Sequence, residues 1–569
     1  MIKIKENLEK LIKYLKIFRK YIIGENLPDW KLINKNKNKN KKINEKEERI
    51  LIAVSAGGQE TCLVFESMIG SVLQYEGYKV DYLLCDEILP ACIMATVKNI
   101  DEDQFSKHGS KKICSYCFVR ANNYLKSTGA NVIKFSDFIT NKDIKEINDI
   151  DFNQLSFDEI KKMKIDNVPI GEHANSGTIR YFANSDFYSL NNAKNIMIKY
   201  LRSAIITKKV SENLFKKNKY KEVLVNHGIY VPQGVILDCA NESKLKTSTW
   251  MVGYRRNSVI ISRNDTYHRA LIYDDNSKWE NIEFTKKHEE KIDKYLKSRW
   301  SGSTDWQFWF KNPKFNIDEY FYKNGIDTSK PIVGLATNVL WDAQVSFPTN
   351  FFSNMLEWLF YTIDFFIKNK HLQLIIRIHP AEVNISKDSL QRVATEISKK
   401  YESLPKNILV IKPDDSISTY SVFEKCNCVI VYGSKIGSET AAANIPTIVC
   451  GESFIRNKNI AFDVNSIQEY KKILEKIPFP KNSVSKEKLM RAKKYAYHFW
   501  FRKTMEFKSI FEKNLYKGVN IGIKNDLFKI YDNNEDPALN QTINSIIKGE
   551  DYILEDEKQL NENYSESKF

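Results

Sequence analysis

The chain lacks any uninterrupted run of the roughly 18 apolar residues that a membrane-spanning helix needs. We do not expect residues 1–23 to act as a signal peptide, because they alternate lysine with apolar residues instead of forming a continuous apolar segment. No repeat of fixed period is present, which excludes a solenoid. We therefore expect a cytoplasmic protein whose nine cysteines, among 569 residues, stay mostly reduced.

The formal net charge of +16 is concentrated at one end of the chain. Residues 1–46 carry 14 Lys or Arg against 5 Asp or Glu, a net +9, so the remaining body is only mildly basic. This distribution argues against nucleic-acid binding, which uses a basic face on a folded domain. Residues 4–18 space apolar side chains as a helix does, which fits packing on the body or attachment of residues 1–23 to an anionic membrane surface.

The length indicates two large domains with extensions, because single cores rarely grow beyond about 300 residues. Apolar runs alternate with helical segments, which predicts an α/β protein with two doubly wound, Rossmann-like domains facing a cleft. The polar, acidic end from about Asn534 predicts partial disorder. The predicted divisions are a basic amphipathic extension and linker (1–46), a first α/β domain (47–328) with a helical lid or acceptor insertion (141–215), a second α/β domain (329–485), a helix crossing back (486–517) and a polar acidic tail (518–569).

Two apolar runs of the second domain, each predicted to be a strand, are followed directly by polar residues. One run leads into His379-Pro380, and the other leads into Gly433-Ser434-Lys435 and a small-residue helix. Polar tips at the carboxyl ends of parallel strands line the ligand crevice of such a sheet. Backbone N–H groups that open a helix favour a phosphate group. The pair of tips therefore predicts a nucleotide or nucleotide-sugar site.

Five segments of the chain carry a family resemblance. They are Ala336-Thr-Asn-Val-Leu-Trp-Asp342, Arg377-Ile-His-Pro-Ala-Glu382, Asp415-Ser-Ile-Ser-Thr-Tyr420, Tyr432-Gly-Ser-Lys-Ile-Gly-Ser-Glu439 and Asn226-His-Gly-Ile-Tyr-Val-Pro-Gln-Gly234. With them, residues 48–510 resemble the bacterial capsule polysaccharide biosynthesis proteins, which are GT-B-type and related to Kdo- and sialic-acid-transferring enzymes. The resemblance implies an inverting glycosyltransferase with a CMP-, UDP- or GDP-sugar donor and a glycan or lipid-linked glycan acceptor. It implies no required metal or cofactor, and no Asp-x-Asp motif ends a strand of the second domain.

By the same resemblance, His379 and Pro380 would contact the donor phosphate, where an imidazole can offset charge on the departing nucleotide. Arg377 shares a strand face with His379 and would add a forked contact. The other residues expected to bind the donor are Thr337, Asn338, Ser434, Lys435, Gly437, Ser438 and Glu439. Glu439 would bind ribose or sugar hydroxyls, although an acid in the first turn also suits the helix dipole.

An inverting transferase needs a base that takes the proton of the acceptor hydroxyl. Glu60, which follows the Gly57-Gly58 turn, is the first candidate, and His227 is the second. His173 is grouped with Gly57 and Gly58 in an expected acceptor-side loop. Each of these residues also has a plain structural interpretation, because a lone His or Glu near a turn is usually structural.

Four cysteines form a separate candidate cluster. Cys114 and Cys117 have the two-residue gap typical of a zinc half-site. Cys85 and Cys92 would supply the other half, giving a structural zinc that pins a loop near the cleft. Buried free thiols are the alternative interpretation.

Two further functions stay open. A nucleotide-sugar 2-epimerase would share the two-domain architecture but needs several acids converging on one sugar. A non-catalytic, membrane-peripheral component of a polysaccharide assembly or export complex would instead work through residues 1–23.

Overall fold

In the computed structural model, the described residues are 27–38, 45–299, 305–306, 310, 312–343, 351–384, 388–480, 482–514 and 520–555. The predicted amphipathic helix at 4–18, with its membrane-facing role, lies outside them. None of the helices in these ranges is both long and apolar enough to cross a membrane.

The first sheet has seven strands in the order β13-β6-β5-β4-β1-β2-β3. Strands β3, β2, β1, β4 and β5 are parallel, whereas β6 and β13 extend the sheet in antiparallel fashion. Residues 50–53 are completely buried, as expected for a strand covered on both faces. The strands are β1 (Arg49–Ser55), β2 (Lys79–Leu84), β3 (Asn131–Lys134), β4 (Glu222–Asn226), β5 (Lys246–Val252), β6 (Ser258–Arg263) and β13 (Thr504–Glu506).

The second sheet has six parallel strands in the order β12-β11-β10-β7-β8-β9. Its strands are β7 (Ile332–Ala336), β8 (Gln373–Arg377), β9 (Ile408–Ile411), β10 (Cys428–Val431), β11 (Thr447–Val449) and β12 (Phe462–Asp463). The winding reverses between β1 and β4 in the first sheet and between β7 and β10 in the second. Such switch points are where doubly wound sheets open a ligand crevice.

Helices cover both faces of each sheet. In the first half of the chain they are Trp30–Lys35, Glu60–Tyr75, Met94–Val97, Glu102–His108, Lys111–Lys126, Asn141–Asp149, Phe157–Lys162, Ile170–Phe182, Ala193–Lys217, Gln233–Glu242, Tyr267–Ile272, Ser277–Glu280 and Lys286–Arg299. In the second half they are Ile317–Lys323, Met355–Lys368, Ala381–Asn384, Val393–Lys400, Thr419–Glu424, Ile436–Ala442, Ile467–Leu474, Lys486–Tyr497, Leu527–Asp532 and Pro537–Lys548.

The predicted helical insertion at 141–215 is only partly an insertion. The second half of the helix Ala193–Lys217 buries Ile206, Val210 and Leu214 against β1 and β4, so it is an ordinary covering helix of the sheet. The helix Ile170–Phe182 packs in a core that also contains Trp341 of the second domain. This part of the insertion therefore joins the two domains.

The chain crosses back to the first sheet after the second domain. The helix predicted over 486–517 ends as an α-helix at Tyr497, continues as a π-helix over His498–Lys503, and gives way to β13. β13 pairs with β6 of the first sheet. The segment 498–506 thus forms a covalent and hydrogen-bonded link between the two sheets.

The expectation of disorder from Asn534 is wrong for residues 534–555. Pro537–Lys548 is a helix capped by Asp536, whose side chain accepts from the Leu539 amide at 3.0 Å. It buries Leu539 and Ile543 in the core of the first domain. The acidic composition hid the helical spacing of these apolar residues. Before it, a hairpin of β14 (Ile510–Asn514) and β15 (Asn520–Ile523) packs on the same core.

The start of the described chain also packs on this core. Trp30 and Ile33, on the helix Trp30–Lys35, are 1% and 0% exposed. Residues 27–35 therefore belong to the body of the first domain, although they were predicted as part of a basic extension.

A carboxyl group inside the first core gives a stability prediction. Glu66 is completely buried and accepts from Trp250 Nε1 at 2.9 Å; burial raises its pKa to about 8, although the hydrogen bond lowers it. An unfolded Glu titrates near 4.5, so between these values the folded state holds a proton that the unfolded chain has released. Stability is therefore expected to fall as pH rises from 5 to 8, by up to ~5 kcal/mol from this group.

Glu66→Gln should flatten this fall, because glutamine keeps the hydrogen bond and does not ionise. Calorimetric unfolding temperatures between pH 5 and 8 would show it, with the exposed Glu146→Gln as the control. A wild-type pH dependence that survives Glu66→Gln unchanged would contradict the assignment.

Candidate functional site

A cavity of about 440 Å³ lies between the two domains. The second domain contributes the residues after β7, β8 and β10, at its switch point, and the first contributes the end of β5, the helix Tyr267–Ile272 and Arg180. Eight of the predicted donor-site residues line it: Thr337, Asn338, Arg377, His379, Pro380, Ser434, Lys435 and Glu439. The residues that were predicted to meet at the ends of the strands therefore do lie together in one cavity.

His379 is held as a neutral hydrogen-bond donor. Its Nδ1 accepts from the Ala381 amide at 3.0 Å, so the proton of the neutral ring sits on Nε2. Burial lowers the pKa of His379 to about 4, with the positive charges of Lys435 and Arg377 adding to the effect. The His379 amide donates to the Thr337 hydroxyl at 3.1 Å, which ties the ends of β7 and β8 together.

Lys435 places a cation in the cavity. Its Nζ lies 4.6 Å from the centroid of the Tyr254 ring, across the interface of the two domains. Burial lowers the Lys435 pKa to about 8, and the charge of Arg299 lowers it further, against the raising effect of Glu439, Asp305 and Asp342. The ammonium group is therefore desolvated, and a phosphate group would restore its favourable charge interactions.

Glu439 is engaged by an arginine that the sequence did not single out. Arg299 Nε donates to Glu439 Oε2 at 3.0 Å, and Arg299 also pairs with Asp305. Tyr295 donates to Asp305 Oδ1 at 3.0 Å, and the Arg299 guanidinium lies 4.3 Å from the centroid of the Trp500 ring. All three charged side chains are under 10% exposed. In this arrangement Glu439 anchors the helix Ile436–Ala442 to the helix Lys286–Arg299 while it also lines the cavity. Its binding of ribose or sugar hydroxyls stays a prediction.

Arg377 does not present a free fork to a ligand. Its guanidinium donates to the main-chain oxygens of Lys412 at 2.5 Å and Asp415 at 2.9 Å, and its Nε donates to the Thr419 hydroxyl at 3.1 Å. It is 2% exposed. The forked contact predicted for phosphate is thus used to hold the loop 412–419 at the cavity rim.

The remaining predicted donor residues shape the loops. Asn338 Oδ1 accepts from the Gly433 amide at 3.4 Å, and Ser434 Oγ accepts from the Ile436 amide at 3.4 Å. Gly437 and Ser438 do not line the cavity. A Cβ at Gly437 would lie 3.1 Å from Ile455, and Ser438 Oγ donates to the Lys435 oxygen at 2.8 Å. Close packing of the helix explains these two residues.

Glu60 and its glycine turn lie away from the cavity. Glu60 pairs with the buried Arg120 at 3.0 Å. A Cβ at Gly57 would lie 2.3 Å from Ala121, and one at Gly58 would lie 2.4 Å from Met94. The helix Lys111–Lys126 therefore covers the end of β1, and none of these residues can take a proton from a substrate in the cavity.

His173 is structural as well. Its Nε2 bonds Asp238 at 2.8 Å and its Nδ1 bonds the Ile229 oxygen at 2.6 Å, so both ring nitrogens are used away from the cavity. A Cβ at Gly234 would lie 2.5 Å from this ring, which explains the glycine there.

His227 stands directly behind the cavity wall. It has a positive φ of 62°, and its buried Nδ1 has no hydrogen-bond partner within the described part of the chain. Burial lowers its pKa well below the usual value, and the charges of His268 and Arg180 lower it further. The rings of His227 and His268 are 5.9 Å apart. His268, not His227, lines the cavity.

The first domain contributes cavity residues that the sequence did not predict. His268, Tyr254 and Arg180 line the cavity, as does Asp342 from the loop after β7. Burial lowers the pKa of His268 to about 4, while the negative charge of Asp342 raises it. The Arg180 guanidinium lies 4.8 Å from the centroid of the Trp341 ring. Asp342 ends one of the segments that carry the family resemblance, whereas His268 does not directly follow a parallel strand.

Two doubly wound α/β sheets that face each other across a ligand-sized cavity define a GT-B-like architecture, as predicted. No protein-family model matches the chain, and a search of curated proteins finds no match either.

Similar solved structures include two KpsC enzymes of Thermosulfurimonas dismutans. One is a beta Kdo 2,4 transferase, with 13% identity and a TM-score of 0.34, covering 53% of this chain and 84% of that chain. The other is a beta Kdo 2,7 transferase, with 14% identity and a TM-score of 0.31, covering 60% and 89%. A third is the UDP-GlcNAc 2-epimerase of Methanocaldococcus jannaschii in complex with UDP-GlcNAc and UDP, with 11% identity and a TM-score of 0.28, covering 79% and 98%.

Proposed function

We propose that this protein is a GT-B-type glycosyltransferase that moves a sugar from a nucleotide-linked donor to a growing bacterial surface polysaccharide of capsule type. The observation that carries the proposal is the meeting of Lys435, His379 and the Thr337 hydroxyl at the switch point of the second domain, inside the cavity between the domains. This is where a doubly wound sheet binds a nucleotide.

The donor side supplies charge stabilisation without a metal ion. The Lys435 ammonium and the Nε2 proton of His379 are fixed in a desolvated site, where they favour the negative charge that develops on the departing nucleotide phosphate. A neutral His379 donates one hydrogen bond and does not need to lose a proton. The reaction is therefore proposed to be metal-independent.

The acceptor side supplies the base for an inverting displacement. His268 belongs to the first domain and Asp342 to the second, and both line the cavity. We assign His268 as the group that takes the acceptor proton, because its lowered pKa keeps it unprotonated at neutral pH. The carboxylate of Asp342 would stabilise the imidazolium formed in that step.

Arg180 would hold the acceptor. It has no ion-pair partner among the described residues, and it lies against Trp341 and Tyr230, at 4.8 and 5.8 Å from the two ring centroids. An arginine flanked by aromatic rings at a cavity wall suits a sugar ring together with an anionic group. A glycan or lipid-linked glycan that carries such a group fits this side.

The acids of the cavity favour transfer over 2-epimerisation. An epimerase needs acids that are free to exchange protons at one sugar carbon. Two of the four acids that line the cavity, Glu439 and Asp305, are instead both paired with Arg299.

Turnover of a donor panel tests the proposal. The full chain would be incubated with CMP-, UDP- and GDP-sugars, with and without a capsule-type oligosaccharide, and free nucleotide would be followed by ³¹P NMR. We expect one donor to release its nucleotide in an acceptor-dependent way, with the oligosaccharide gaining one sugar by mass. An epimerised sugar still attached to its nucleotide would favour the epimerase instead, and no change in any donor would count against both enzymes.

Lys435 gives the binding site a predicted pH dependence. The free protein loses the Lys435 proton around pH 8, whereas a bound phosphate would keep it protonated. The Kd of the nucleotide is therefore expected to rise by up to about tenfold per pH unit above 8. Calorimetry at pH 7, 8 and 9 measures this change. Lys435→Met should bind more weakly at pH 7 and lose the pH slope, and an equal slope in both proteins would contradict the role of Lys435.

A further inference from the structure

Four cysteines surround a second, smaller cavity in the first domain. Cys85 follows β2, Cys92 lies in the next loop, and Cys114 and Cys117 are one turn apart on the helix Lys111–Lys126. All four are free thiols. The cavity has a volume of about 20 Å³, which is room for one water molecule or one ion.

An unsatisfied hydroxyl group also faces this cavity. Ser55, the last residue of β1, is 1% exposed, and its Oγ has no hydrogen-bond partner among the described residues. Its φ of 43° is uncommon for a residue other than glycine. A buried polar atom without a partner costs free energy, and an ion or a water molecule bound in the cavity would give the Ser55 hydroxyl group a partner.

The lining suits a soft cation better than water. A buried water molecule needs two to four good polar partners. One carboxylate oxygen of Glu87 already accepts from Ser115 at 2.9 Å, and thiols are weak hydrogen-bonding groups, so the lining offers a water molecule few strong polar partners. Four sulfur ligands are, in contrast, the set that a structural zinc ion prefers.

We propose that this cavity is a structural zinc site with Cys85, Cys92, Cys114 and Cys117 as ligands. In the described part of the chain, no three Cys, His, Asp or Glu side chains are close enough together to hold a metal ion as they stand. The Cys114 thiol, for example, donates to the main-chain oxygen of Ser110 at 3.1 Å. Binding therefore requires the side chains to turn inward. Each of the four thiols loses its proton to solvent as its sulfur–zinc bond forms.

The site would fix the backbone behind the covered end of β1. It joins the loop 85–92 to the helix Lys111–Lys126, and that helix packs on the Gly57-Gly58 turn, where Cys117 Sγ would lie 3.3 Å from a Cβ at Gly58. These residues do not line the larger cavity. The proposal is thus independent of the proposed transfer reaction.

Metal content and cobalt spectroscopy test the site. The purified full chain would be loaded with Zn²⁺, freed of excess metal and analysed by mass spectrometry of its elements. We expect one zinc per chain, and a Co²⁺-loaded sample with thiolate-to-cobalt charge-transfer and tetrahedral d–d bands. Cys114→Ser/Cys117→Ser should lose both signals, whereas Cys62→Ser/Cys239→Ser, with two buried cysteines outside the cavity, should keep them.

A second measurement needs only the wild-type chain, so it tests the site even if the double cysteine variant does not fold. Titration of the zinc-loaded wild-type chain with an organic mercurial should release zinc, detected with a chelating dye, in step with the modification of four thiols. The proposal is overturned by wild-type loading that stays far below one zinc per chain, or by cobalt bands without thiolate character. Equal loading of the Cys114→Ser/Cys117→Ser variant would overturn it as well.

Discussion

His268→Asn is expected to lower the turnover number of sugar transfer by about 10²–10⁴-fold, the usual contribution of a general base. The nucleotide Kd should stay close to that of the wild type, because the donor phosphate is assigned to Lys435 and His379 on the other domain. The base acts in its unprotonated form, and burial holds the His268 pKa at about 4. Wild-type kcat/KM should therefore fall as pH drops towards 4, and should fall again above about 8 as Lys435 loses its proton.

His227→Asn is the matched control, because His227 is the histidine that the sequence favoured and its ring is only 5.9 Å from that of His268. We expect it to retain most of the transfer activity. Transfer rates and calorimetric Kd values on the same preparations separate chemistry from binding. If His227→Asn loses activity and His268→Asn keeps it, the base has been misassigned.

Arg299→Met is expected to reduce the free energy of unfolding by about 3–5 kcal/mol, as is typical when one partner of a buried ion pair is removed. The substitution leaves the buried carboxylates of Asp305 and Glu439 without their cation. It also removes the stacking of the guanidinium on Trp500. Because this cluster joins the helix Lys286–Arg299 to the helix beside Lys435, nucleotide affinity should fall too. Urea unfolding and calorimetric titration measure the two effects.

Arg269→Met provides the comparison, since Arg269 pairs with Asp265 at 3.3 Å but its side chain is 55% exposed. Exposed pairs contribute little, so its unfolding midpoint should hardly move. Replacing Asp305 by Asn and Glu439 by Gln in the Arg299→Met background should recover part of the loss, because no unpaired charge is then buried. Wild-type stability in Arg299→Met alone would contradict this account of the cluster.

The fold was accessible from the sequence because parallel strands covered on both faces read as continuous apolar runs. Residues 50–53 and 374–376 are such runs, and all of them are completely buried. The donor side followed from the same rule, since His379 and Lys435 come directly after β8 and β10. The buried helix over Pro537–Lys548 was missed because its acidic surroundings outweighed its apolar spacing.

His268 could not be found by the rule of strand ends. β6 runs antiparallel, so its last residue pairs with Ser248 at the edge of the sheet remote from the cavity. The chain then returns along β5, where the Thr249 hydroxyl donates to the Asp265 oxygen at 2.6 Å, and only afterwards reaches the cavity. The path of the chain from β6 back to the cavity depends on contacts with β5, so the residues around His268 carry no local sequence pattern that predicts it.

The sequence also did not predict which groups would contact the side chains of Arg377 and Glu60. Arg377 faces the crevice by its position on β8, but the carbonyl groups that use its guanidinium come from the loop 412–419. Glu60 follows a glycine turn, but the helix Lys111–Lys126 packs over that turn. In both cases a segment distant in sequence decides what the side chain can contact.

Titration of CMP, UDP and GDP into the wild-type chain and His379→Ala at pH 7 tests the central claim most directly, with the exposed His371→Ala as the control. We predict that one nucleotide binds with micromolar affinity, that His379→Ala weakens it about tenfold or more through the lost hydrogen bond to phosphate, and that His371→Ala does not. If no nucleotide binds, or if His379→Ala binds as well as the wild type, the cavity is not the nucleotide-sugar site described above.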